Sequence, residues 1–128
     1  LSLRTGGLDF ADGNPATRSH LAKREYHHLF PKAWLIEQGY NNSDINKALN
    51  CALVTWSTNR DISAKEPSEY LDERMKGTSL GEAEIRRRLS SHLIPYDEIL
   101  ANSFDAFLER RAVMMHEMMT KLCNGENV

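Results

Sequence analysis

The clearest alternation of apolar and polar positions lies in the last quarter of the chain. Phe104, Phe107, Leu108, Met115, Met118 and Leu122 recur at the spacing of one helix face. A helix is therefore predicted from Ser103, as its cap, to Cys123, ending before Gly125, with that stripe turned to the core. Upstream the pattern shortens. Arg24 to Phe30 predicts a strand, ended by Pro31, whose fixed φ suits the first turn of a helix. Lys32 to Gln38 predicts that helix, burying Trp34 and Leu35 and stopping at Gly39. Asn41, Asn42 and Ser43 form a turn, with Ser43 capping a short helix from Asp44 to Leu49. Ala52 to Thr55 is apolar and β-favouring, and pairs with the first strand as a hairpin.

Beyond the hairpin the elements are helical. Ser57 or Thr58 caps a helix carrying Asn59 to about Ala64, and Pro67 opens another that runs to about Met75 and closes at Gly77. A further helix from Ser79 or Gly81 to His92 stops before Pro95. Leu1 to Pro15 is rich in Gly, Asp and Asn and is a loop-like lead-in. The predicted fold class is α+β, as a single domain: a lead-in over 1–23, a hairpin-centred core over 24–76 and a helical tail over 77–128.

Length and composition narrow this picture. A chain of 128 residues buries roughly two-thirds of its unfolded surface, enough for a core without staples. Leu1 is not an initiator methionine, and the chain is expected to be a piece of a longer protein. With no run of 18 apolar residues and no signal-like start, a soluble, cytoplasmic protein that does not engage a membrane is expected. Cys51 and Cys123 form no C-x-x-C pair, which argues against a disulfide framework or a zinc knuckle; both are expected to be buried thiols.

A net charge of −2 does not help a chain hold nucleic acid alone. Its distribution changes the picture: Arg18, Lys23, Arg24 and Lys32 face only Glu25 in the segment that carries the histidines. From Asp61 to Glu84 acids dominate, and that half is assigned to solvent or to another domain.

The candidate chemistry sits in Tyr26-His27-His28-Leu29-Phe30-Pro31, answered by Asn50 and Asn59. Hydrolysing a phosphodiester needs a nucleophile in line with the leaving oxygen and positive charge for the transition state. A histidine, half-neutral near pH 6.5, can take the proton of water. Adjacent residues of a strand point to opposite sides, so His27 and His28 serve one site only if the strand ends or bends there. Asn59 can offer its carbonyl oxygen to a hard cation, and Asn50 can brace the loop that holds the base through two donors and one carbonyl.

YHHLFPKAWL and ALNCALVTWSTNRDISAKEPSEYL, within Tyr26 to Leu71, resemble the HNH nuclease domain with the ββα-metal fold. More closely, they are similar to the C-terminal domain of GmrSD-type modification-dependent restriction enzymes and related phage-defence proteins. The likeness covers about the first 75 residues well and the tail loosely. It implies that His27 ligates a metal, His28 is the general base, Asn50 orients that base and Asn59 is the second protein ligand. It further implies a Mg²⁺-dependent (or Mn²⁺-dependent) endonuclease that nicks DNA, modified phage DNA among its substrates, working beside a missing N-terminal domain whose nucleotide hydrolysis is left open. The chain departs from many HNH enzymes in lacking cysteine knuckles and in its acidic balance.

Other readings compete. A His-His pair alone is more often surface or satisfied core, and Asn50 alone could be a turn residue. Arg60 and Lys65, with Lys32, are candidates to grip phosphate, yet solvated charges fit equally. For Arg86-Arg87-Arg88 a solvated helix face is the better reading. His116-Glu117 lacks the second histidine of a zinc protease, Cys51 lacks an activating helix start, and His20 and His92 are unassigned. The rival functions are a docking module with a degenerate site, and an RNase using the same residues.

Overall fold

The computed structural model describes Leu8, Pro15 and residues 24–55, 64–77 and 81–128. Its fold is α+β. Strand β1 (Arg24–His28) pairs antiparallel with β2 (Cys51–Thr55), His27 opposite Ala52 and His28 opposite Cys51. The connection between them is no tight turn: it holds α1 (Lys32–Glu37), α2 (Asn42–Ile45) and a 3₁₀ turn (Ala48–Asn50). Then follow α3 (Pro67–Gly77), α4 (Glu82–Ser90), α5 (Tyr96–Leu100) and α6 (Phe104–Cys123).

Local chemistry explains most boundaries. Gly39, at φ 90°, closes α1 where a side chain would be strained. Asn41, not Ser43, caps α2, its Oδ1 accepting from Asp44 N at 2.9 Å. The predicted 44–49 helix is instead this single turn followed by the 3₁₀ turn. Ser103 occupies the cap position of α6 without a side-chain bond. Pro95, read from the sequence as a stop, is also the cap residue of α5, an unpredicted element. Asn102 adopts the left-handed conformation that its residue type tolerates and accepts from Ser68 N at 2.9 Å, capping α3 from across the fold.

Phe30 sits at the centre of the core, fully buried, with its ring 4.9 Å from Phe107, 5.2 Å from Phe104 and 5.8 Å from Trp34. Leu29, Leu35, Ile45, Leu71, Ile85, Leu89 and Ile99 belong to the same buried core. The apolar stripe of α6 is core only at its start. Phe104 and Phe107 are buried, whereas Leu108, Met115, Met118 and Leu122 are half-buried because the stripe continues past the elements that pack against it. Cys51 is half-buried and Cys123 exposed, so neither thiol is buried as expected. Arg111 takes the place of an apolar residue on this face and is 2% exposed.

Candidate functional site

β1 ends at His28, and the chain turns through Leu29 and Phe30 into Pro31. The turn is held at every backbone polar group that Leu29 and Phe30 present. Leu29 N donates to Asn50 O at 2.7 Å, and Tyr70 of α3 donates its hydroxyl to Leu29 O at 2.8 Å. Phe30 N donates to Asn50 Oδ1 at 2.9 Å, while Asn50 Nδ2 donates to Phe30 O at 3.1 Å and to Ile45 O at 3.0 Å. Asn50 is fully buried. Its amide thus uses both donors and its carbonyl on the two segments that flank the site, which only an asparagine-shaped group achieves. Burial pushes the Tyr70 phenol far above its ordinary range, so it stays a donor at any working pH.

Arg111 holds the same cradle from beneath. Its guanidinium donates to the carbonyls of Leu49 at 2.5 Å and Cys51 at 3.0 Å, on either side of Asn50, and to those of Leu93 at 3.1 Å and His92 at 3.3 Å. Leu93 has φ 54°, so Arg111 secures a turn that the backbone alone disfavours. Burial lowers the Arg111 pKa to about 10, still well above neutrality. Sequence reasoning missed this residue. The signal was a lone arginine four positions after Phe107 and before Met115 on the apolar stripe.

The histidines part company. Both lie in regular strand register, on positions that face opposite ways. His27 is half-buried, with its Nε2 shielded from solvent. His28 faces the connection, its Nε2 3.1 Å from Asn46 Oδ1. Across from it, the Cys51 thiol donates to Lys47 O at 3.7 Å, and burial raises its pKa, with Arg111 opposing. Asn59 and Arg60 lie outside the described residues. No group of three or more His, Cys, Asp or Glu able to hold a metal occurs among the described residues. The described part of the expected ligand set is His27 alone, too little to hold an ion unaided.

Of the three basic residues read as phosphate contacts, Lys65 is engaged, Lys32 is exposed and Arg60 lies outside the described residues, while the arginine triple is paired with acids. Lys65 pairs with Glu73. Arg86 bonds Glu82 at 3.1 Å and Asp97 at 3.2 Å, and Arg87 and Arg88 share Glu84 at 2.8 Å each. The arginine triple is therefore a neutralised helix face, with Arg88 largely buried, and Lys32 stands exposed at the start of α1. His92 is buried, its Nε2 2.6 Å from Leu8 O, while Leu8 N donates to Ser91 Oγ at 2.9 Å. This pins part of the lead-in. No described helix is long and apolar enough to cross a membrane.

No family model and no solved structure matches the chain. An uncharacterized protein of Methanocaldococcus jannaschii, MJ0686, is 33% identical over 121 residues, covering 78% of this chain and 21% of that protein. The chain thus spans about one-fifth of the length of the curated relative it matches.

Proposed function

We propose that the chain is a divalent-metal-dependent endonuclease domain of the His-Asn-His kind, with β1 and β2 as the strands of a ββα-metal core. The observation that carries this reading is the clamp of Asn50 on the turn after His28, a buried amide bonded to Phe30 and Ile45 at 2.9–3.1 Å. These bonds fix the backbone that follows the His28 imidazole by two residues.

In this reading His28 takes a proton from water. The water oxygen bonds to phosphorus as the bond to the 3′ oxygen breaks, leaving a 5′-phosphate and a 3′-hydroxyl once solvent protonates the leaving oxygen. A divalent ion, Mg²⁺ or Mn²⁺, held by His27 and Asn59 would supply positive charge to the phosphate. One such site cuts one strand at a time. The restriction and phage-defence setting, modified DNA as substrate and a partner domain outside this chain belong to the same proposal.

The test is a plasmid-nicking assay with Mg²⁺, with Mn²⁺ and with chelator. The parent chain nicks supercoiled DNA only with metal, and His28→Ala loses roughly 10²–10⁴-fold in rate while staying folded, the scale of a positioned acid–base group. Equal cutting by His28→Ala refutes the assignment, and parallel RNA digests decide the nucleic acid. A second reading, a docking module that does not cut, draws support from the engaged cations Lys65, Arg86, Arg87 and Arg88; binding without metal-dependent cleavage favours it.

A further inference from the structure

We propose that Asn46 is a positioning residue for His28, fixing the neutral imidazole as the tautomer protonated at Nε2 and leaving Nδ1 as the nitrogen that accepts the proton. The inference rests on the nuclease reading above. An amide carbonyl oxygen only accepts hydrogen bonds. With Asn46 Oδ1 at 3.1 Å from His28 Nε2, that ring nitrogen carries the hydrogen. A neutral imidazole has one N–H, so Nδ1 holds the free lone pair. The contact also separates the two histidines by role, because a ring whose Nε2 donates to an amide does not offer that nitrogen to a cation.

The placement of Asn46 is built rather than incidental. It ends α2, its backbone N donating to Asn42 O at 3.0 Å. The preceding carbonyl, Ile45 O, accepts from Asn50 Nδ2 at 3.0 Å, while the other contacts of the same amide hold Phe30, two residues after His28. One buried side chain therefore sets the distance between the base and its orienter. Neither sequence spacing nor the HNH-like motif singles out Asn46, which lies between the two motif segments. Its side chain is exposed, so truncating it removes the contact without opening the core.

The experiment uses the full 128-residue chain labelled with ¹⁵N. Long-range ¹H–¹⁵N correlations give the His28 ring shifts at one fixed pH at which the ring is neutral, assigned by their loss in His28→Gln. The parent shows Nδ1 as the bare nitrogen. Asn46→Ala shows the averaged shifts of two exchanging tautomers, and Asn46→Asp, which keeps an acceptor oxygen in place, restores the parent pattern. On supercoiled plasmid with Mg²⁺, Asn46→Ala cuts roughly 10-fold or more slowly, the scale for losing the outer partner of a functional histidine, with DNA binding in chelator and the melting temperature unchanged. An active parent whose His28 carries its hydrogen on Nδ1, or an Asn46→Ala that matches the parent in ring shifts or in cutting, overturns the proposal and leaves the nuclease reading standing. A parent that does not cut removes both.

Discussion

Asn50 makes three of the buried hydrogen bonds that hold the turn after His28 and its neighbour Ile45. Replacing it by alanine leaves Phe30 N, Phe30 O and Ile45 O without their partner in a dry environment. At about 1 kcal/mol or more for each buried group left unsatisfied, Asn50→Ala should cost about 3 kcal/mol, visible as a lowered urea midpoint. Asn50→Asp is the sharper probe. Its carboxylate can still accept from Phe30 N, but sets an unpaired charge against two carbonyl oxygens. We expect it to be at least as unstable as the alanine variant at pH 7, and to recover partly on mild acidification as the carboxyl becomes neutral and regains a donor. An Asn50→Asp chain as stable as the parent at pH 7 would mean the clamp contributes little. Tyr70→Phe removes only the bond to Leu29 O and should cost about 1–2 kcal/mol.

At the scale of elements, the sequence disclosed what depends on local chemistry and hid what depends on distant partners. β2 follows from its apolar, partly β-branched run, β1 from the proline that ends its segment, and the helices opened by Pro31 and Pro67 from proline and glycine; all stand within a few residues of their predicted bounds. Asn50 was legible as a brace because an amide is the one side chain able to donate twice and accept at once. Asn46 was not, since nothing local ties it to His28, 18 positions away. Arg111 was masked by its charge, which looks like a break in an apolar stripe until four backbone carbonyls are placed around it. The helix over 96–100 is hidden in the sequence because Pro95 both ends the approach from α4 and opens α5.

The pairing along α4 predicts a pH response. Hydrogen bonds from Arg87 and then Arg88 hold the Glu84 carboxyl down at about 2, against 4.5 ordinarily. A carboxylate whose pKa is depressed by folding stabilises the fold fully above its unfolded pKa, and that contribution disappears as pH falls through the folded value, because the unfolded chain binds the proton first. Stability should therefore decline between pH 4.5 and 2. Glu84→Gln should flatten that part of the urea-midpoint profile by lowering its neutral end towards the value near pH 2, a small drop because the Glu84 carboxylate is partly exposed to solvent. A parallel decline in both chains would assign the acid response to other groups.

For the whole molecule, the segment proposed as the nuclease core and the helical tail are not separable parts. The candidate residues all lie before residue 75, yet the ring of Phe30, two positions after the candidate base, packs on Phe104 and Phe107, and Arg111 binds the carbonyls on both sides of Asn50. Removing one buried phenylalanine costs about 3–5 kcal/mol, so losing both with Arg111 approaches the whole stability of an ordinary domain, about 5–15 kcal/mol. Ending the chain at Leu100 should thus leave an unfolded segment with no amide dispersion by NMR and no metal-dependent nicking, although every motif residue is present. Ending it at Glu117 keeps Phe104, Phe107 and Arg111 and removes only residues that are half-buried or exposed; that chain should keep its dispersed spectrum and lose at most a few degrees of melting temperature. If the chain ending at Leu100 were folded, the tail would be an appendage and the cradle around Asn50 would stand by itself. If the chain ending at Glu117 were unfolded, the half-buried end of α6 would hold more of the core together than its exposure indicates.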